Sequence, residues 1–261
     1  MVVAGVLTAW LGACTSTSEP PPTPPEASKS CGHAHNDYEH PRPLLDALGH
    51  GFCSVEADVH LVDGALLVAH DADEVVAGRT LERLYLEPLR ARSDQLPPDF
   101  VLMVDVKSDG EATYPVLHAA LEAHADILTV YRGGVASPGP VTVVVSGRRA
   151  PDLMRAQDVR YAALDGRVPD LDANMEVTLM PWISANWFDH FTWIGFTDFP
   201  EDQRARLKEI VRRTHAQNRR LRFWRTMDRA DVWQELVAAE VDLINSDDLA
   251  GLAEFLGPKP P

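Results

Sequence analysis

From residue 31 onward, short apolar runs alternate with stretches in which apolar residues recur every three or four positions. The runs Cys31–His35, Phe52–His60, Phe100–Lys107, Val141–Ser146, Tyr161–Leu164, Thr178–Ser184, Leu221–Thr226 and Val241–Asn245 read as eight strands. Pro43–Leu48, Thr80–Arg92, Tyr114–Leu128, Pro200–Asn218 and Arg229–Ala239 carry the helical period between them. Alternating β and α elements over about 230 residues predict a single (β/α)8 TIM barrel over residues 31–257, with a doubly wound open sheet as the alternative. No glycine-rich phosphate loop follows the first strand, which weakens that alternative. An extra hairpin is expected where Val59–Val62 and Ala65–His70 flank the turn Asp63-Gly64.

Some polar residues stand in this pattern where apolar ones belong. The first strand runs into Gly32-His33-Ala34-His35-Asn36-Asp37-Tyr38, at the end of a barrel strand where catalytic groups gather. In Ser54-Val55-Glu56-Ala57-Asp58-Val59 the period of two puts Glu56 and Asp58 on one side, about 7 Å apart along the chain. Asp105 and Lys107 share a face of the third strand in the same way. A buried carboxylate without a partner costs on the order of several kcal/mol, so carboxylates aimed together at neighbouring strand ends need a shared cation, a shared proton or solvent, and a third at Asp105 invites the cation. Oxygen donors suit one divalent cation, Mg2+ or Ca2+, rather than zinc. His35 and His70 would then supply a pair of imidazoles for acid–base chemistry. Ser184, Asn186, Trp187, Trp224, Arg225, Asn245 and Asp247 follow the apolar runs of strands six to eight and are expected at the same mouth. Trp182, Trp187 and Trp193 are candidates for an apolar wall against a lipid or a ring.

Charge and the N-terminus change the picture further. Twenty-four Lys and Arg against 39 Asp and Glu give a net charge of −15, which excludes a polyanion-binding surface and with it a nucleic-acid partner. No obligate protein partner is evident. Three cysteines, at 14, 31 and 53, are too few for a disulfide scaffold, and whether Cys31 and Cys53 are bonded stays open. Residues 2–13 form an apolar run too short to span a bilayer, ending in Leu11-Gly12-Ala13-Cys14. This ending resembles the lipobox of bacterial lipoproteins, so residues 1–14 are expected to be a signal segment with lipidation at Cys14. Residues 15–30, rich in Pro, Ser and Thr, read as a linker. The implied location is a bacterial cell envelope, with the domain held to the membrane by a lipid anchor.

His35-Asn36, Glu56-x-Asp58, the Asp63-Gly64 hairpin, His70-Asp71 and Asp105-x-Lys107 resemble, in this order, the PLC-like phosphodiesterase superfamily of TIM barrels. Glycerophosphodiester phosphodiesterases and phosphatidylinositol-specific phospholipases C belong to it. The opening His-x-His-Asn-Asp-Tyr is most similar to the altered-inheritance-of-mitochondria-protein-6-like branch. The resemblance implies a metal-dependent phosphoric diester hydrolase acting on a small-molecule or lipid phosphodiester. It makes His35 and His70 the catalytic histidines and Glu56, Asp58 and Asp105 the metal carboxylates. Asn36 becomes a candidate fourth ligand, and Lys107 a residue facing the phosphate. Glycerophosphodiester phosphodiesterases usually carry His-Arg at 35–36 and glutamate at 105, a departure that argues against glycerol-headed substrates. An amidohydrolase, using His33-x-His35 as a metal pair, and a surface-tethered phosphate-binding module without turnover are the competing readings.

Overall fold

The computed structural model describes residues 30–173 and 175–257. Eight parallel strands close into a barrel: β1 (Cys31–Ala34), β2 (Ser54–Val62), β3 (Phe100–Val106), β4 (Val141–Gly147), β5 (Ala163–Gly166), β6 (Trp182–Asn186), β7 (Arg220–Trp224) and β8 (Leu243–Ser246). Each pairs with its neighbour in sequence order, and β1 pairs with both β8 and β2 to complete the circle. The barrel expectation therefore holds, and the open sheet is excluded. Helices pack outside, the longest being α1 (Gly110–Glu122) and α2 (Glu201–His215). No helix among the described residues is long and apolar enough to cross a membrane.

The period of two in each strand sorts the side chains. Val55, Ala57 and Val59 of β2, Leu102, Val104 and Val106 of β3, and Val143 and Val145 of β4 join the core between sheet and helices. The alternate residues point inward. Their lower layer is apolar, with Cys31, Val101, Met103, Val144, Trp182 and Leu243 packed in one cluster together with Cys53. Cys31 and Cys53 form a disulfide, with Cα atoms 6.1 Å apart, that ties the start of β1 to the residue preceding β2. One step higher, at the C-terminal end, the inward residues are polar, and that layer makes the site.

Two expectations shift. The fifth strand starts at Ala163 rather than Tyr161, and the sixth starts at Trp182 rather than Thr178, because residues 177–179 form a turn and Pro181 stands directly before the strand. The hairpin forms: Ala65–Val68 runs antiparallel to the far end of β2, with Val62 opposite Ala65. Asp63 and Gly64 both take positive φ, 49° and 79°, as a two-residue turn of this hand requires.

Candidate active site

Adjacent strands place Asp58 directly opposite Asp105, while Glu56 stands one inward position lower on β2. One oxygen or more from each of Glu56, Asp58 and Asp105 lies within 4.8 Å of the others. Among the described residues this is the one group of three or more His, Cys, Asp or Glu so placed. Three carboxylates this close repel. Burial and then Glu56 push Asp58 above the usual carboxylate range and Asp105 up to about 6, with Lys107 pulling both the other way. Asp58 Oδ1 is buried and has no hydrogen-bond partner. An oxygen-rich cluster with an orphaned carboxylate oxygen fits a hard divalent cation.

The remaining oxygen of Asp58, Oδ2, is crowded with donors. Tyr38 Oη donates at 2.8 Å, Lys107 Nζ approaches to 3.0 Å and His70 Nδ1 lies at 3.0 Å. Lys107 also reaches Asp105 Oδ1 at 3.3 Å. Burial opposes the charge on Lys107, but Asp105 and Asp58 together hold its ammonium above the ordinary value. The hairpin delivers His70, whose side chain is 49% exposed, and His60 Nε2 bonds the His70 carbonyl oxygen at 3.2 Å. His35 follows β1 directly, its Nδ1 2.8 Å from Asp247 Oδ1 after β8. Burial disfavours its charged form, yet the Asp247 hydrogen bond and Glu56 raise its pKa above the ordinary histidine value.

Below the trio sits a residue that the sequence pattern did not single out. Arg222 of β7 reaches the barrel axis and donates from Nη1 to Glu56 Oε2 at 2.6 Å and to Asn245 Oδ1 at 3.3 Å, and from Nε to Ser184 Oγ at 3.3 Å. His33 is fully buried beside it, with Nδ1 on Ser54 Oγ at 2.7 Å and Nε2 3.1 Å from Glu56 Oε2. Burial and Arg222 depress the His33 pKa to about 4, so this imidazole is a neutral spacer. Burial opposes ionisation of Glu56, but Arg222 and then His33 hold its carboxyl well below the usual range. With both ring nitrogens engaged in this way, His33 does not pair with His35 as an amidohydrolase metal site would need.

The strand alternation Arg220-Leu221-Arg222-Phe223 contained the signal for Arg222, by the same reasoning that exposed Asp105. Tyr38 closes the polar run after β1, outside any strand alternation. Asn36 takes a left-handed conformation at φ 45° and donates its side-chain amide to Glu39 Oε1 at 3.4 Å. The tryptophan wall is overturned: Trp182, Trp187 and Trp193 are all buried, Trp182 inside the barrel and the other two stacked with Phe191 and Phe199. The exposed apolar residues of those loops are Phe188, Ile194, Phe196 and Met227.

Fold and site together define a barrel of the phosphodiesterase class. The family model of the AIM6-like phosphodiesterase domain matches residues 26–98 and 92–165, and that of the glycerophosphoryl diester phosphodiesterase family matches 220–250. The chain thus belongs to the AIM6-like phosphodiesterase family and is a phosphoric diester hydrolase. It is 29% identical over 255 residues to an altered inheritance of mitochondria protein 6 homolog of Arthroderma benhamiae, covering 83% of this chain and 81% of the relative. To altered inheritance of mitochondria protein 6 of Eremothecium gossypii it is 28% identical over 266 residues, covering 85% and 68%. In fold it is similar to a glycerophosphodiester phosphodiesterase from Parabacteroides distasonis, with a TM-score of 0.56, 13% identity and coverage of 88% and 97%. It is also similar to a Ca2+-dependent phosphatidylinositol-specific phospholipase C from Streptomyces antibioticus, with a TM-score of 0.55, 14% identity and coverage of 88% and 96%. These relatives correct the expected location. The curated proteins that match are fungal and named for mitochondrial inheritance, not bacterial envelope lipoproteins. Cys14 and the linker up to residue 29 lie outside the described residues.

Proposed function

We propose that the barrel mouth hydrolyses a phosphodiester with Glu56, Asp58 and Asp105 holding one divalent cation, Mg2+ or Ca2+. The convergence of these carboxylates, with Asp58 Oδ1 left unpartnered, is the observation that carries the reading. A bound divalent ion would supply positive charge against the charge that develops on the phosphoryl oxygens. Lys107, beside Asp58 and Asp105, adds a second positive group facing the same oxygens. Arg222 and His33 fix the lower carboxylate, Glu56, so that the trio keeps its shape.

The two histidines divide the proton transfers. Asp247 holds His35 by Nδ1, which leaves Nε2 to take the proton of the attacking water or hydroxyl, and the carboxylate stabilises the imidazolium that forms. His70 is held by Nδ1 against Asp58 and Tyr38, so its exposed edge protonates the leaving alkoxide. Phe188, Ile194, Phe196 and Met227 expose apolar surface in the loops after β6 and β7, which favours a lipid-derived substrate over a wholly polar one.

Hydrolysis of bis(p-nitrophenyl) phosphate and of phosphatidylinositol, with Mg2+, Ca2+ or EDTA, tests this reading. EDTA is expected to abolish turnover, and His35→Ala and Glu56→Gln each to lower kcat by about 100-fold or more. Full activity in EDTA, or in both variants, would overturn it.

A further inference from the structure

Next to the trio, the ends of β4 and β5 gather a second polar cluster. Ser146 Oγ donates to Asp165 Oδ2 at 2.8 Å, and Arg167 Nη1 donates to the same oxygen at 2.6 Å. Arg149 and Arg167 also both donate from Nη1 to the backbone carbonyl of Asp165, so two guanidinium groups converge on one residue. Asp165 is fully buried and offers one negative charge to these two cations. The next carboxylate, Asp170, is turned onto the backbone N–H of Arg167 at 2.7 Å. Burial and the like charge of Arg167 hold Arg149 below the ordinary arginine value, with Asp165, Asp170 and Asp105 pulling the other way. Arg167 takes the Asp165 carboxylate as its ion-pair partner, Arg149 reaches only the backbone carbonyl of that residue, and each arginine remains partly exposed. In a chain of net charge −15, this is a place where positive charge is concentrated and incompletely answered.

Its position matters. Asp105 of the trio is in register with Ser146, and a Cβ built on Gly147 would lie 2.2 Å from Asp105 Oδ1. Glycine there, at φ +66°, keeps side-chain atoms out of the gap between the two clusters. Neighbouring strands are about 4.8 Å apart, so an anion on the arginines would sit roughly 5–10 Å from one on the trio.

We infer that Arg149 and Arg167 form a second anion subsite, which takes a phosphate or carboxylate carried on one ester arm of the substrate about three carbons from the scissile phosphorus. That the ligand is a substrate arm rests on the reaction proposed above; the subsite itself does not.

Calorimetry with product-like ligands that are not diesters separates the two. Propane-1,3-diyl bisphosphate is expected to bind the full chain about tenfold more tightly than propyl phosphate, and 4-phosphobutanoate shows whether a carboxylate suffices. Arg149→Gln and Arg167→Gln should each reduce that ratio to about threefold or less, while Arg167→Lys restores part of it. Equal affinities for bisphosphate and monophosphate, or an unchanged ratio in both glutamine variants, would overturn the subsite. A ratio that is present and abolished by the variants, in a protein that hydrolyses no diester, would uphold the subsite and sink the reaction instead.

Discussion

The lower layer of the barrel interior packs Val101, Met103, Val144, Trp182 and Leu243 around a disulfide, whereas one step higher the same walls carry His33, Glu56, Asp105, Ser146, Asp165 and Arg222. Below, apolar burial and one disulfide stabilise. Above, every buried charge must be answered by another, and the answers are local: Arg222 for Glu56, Lys107 for Asp58, Arg167 for Asp165. The upper layer is thus where stability is given up for chemistry, and it rests on a floor that has none to perform.

The largest effect should come from removing the central cation. Arg222→Met leaves Glu56 buried without its strongest partner and is expected to lower stability by about 3–5 kcal/mol, read as a fall in the urea midpoint. Adding Glu56→Gln should recover much of that loss. A fall of under about 1 kcal/mol would mean that water reaches Glu56 and that the two layers differ less than their contacts indicate. In the floor, replacing both Cys31 and Cys53 by serine opens a link across a sequence separation of 22 and should cost about 3 kcal/mol. Wild type in reductant should match the variant.

A smaller, pH-dependent effect sharpens the contrast from outside the barrel. Asp37 is fully buried, and burial raises its pKa to about 6 despite hydrogen bonds to Oδ2 from the Leu44 N–H at 2.5 Å and Tyr85 Oη at 2.9 Å. The fold therefore favours its neutral form. Its contribution is fully present below the unfolded value near 3.8 and is lost as pH rises through about 6. Asp37→Asn should flatten the stability profile across that window by about 2 kcal/mol, measured as the difference in urea midpoints at pH 4 and pH 8. An unchanged slope would show that Asp37 is already charged in the folded protein.

Much of this architecture was legible beforehand, and the reason is the strand period. Glu56, Asp58, Asp105 and Lys107 stood out because each interrupts an apolar alternation on a face that must be buried. Arg222 interrupts one equally well, two residues before Trp224 at the end of the same strand. Trp187 and Trp193 follow a different rule: one opens a helix of four residues and the other lies in the loop after it, stretches too short to show a period, so nothing in the order of residues tells which face of an indole meets solvent. Arg149 and Arg167 likewise follow strand ends, where partners are set by chain reversal and not by spacing.

The hairpin that carries His70 extends past the last pairing of β2 with β3, Val59 with Val106, so this histidine belongs to an appended arm and not to the wall. The two histidines are consequently mounted on parts of the chain with independent freedom to diverge. With the roles proposed above, lengthening or trimming residues 60–70 is expected to move the His70 end of the mouth while leaving Glu56, Asp58 and Asp105 on the barrel staves in place.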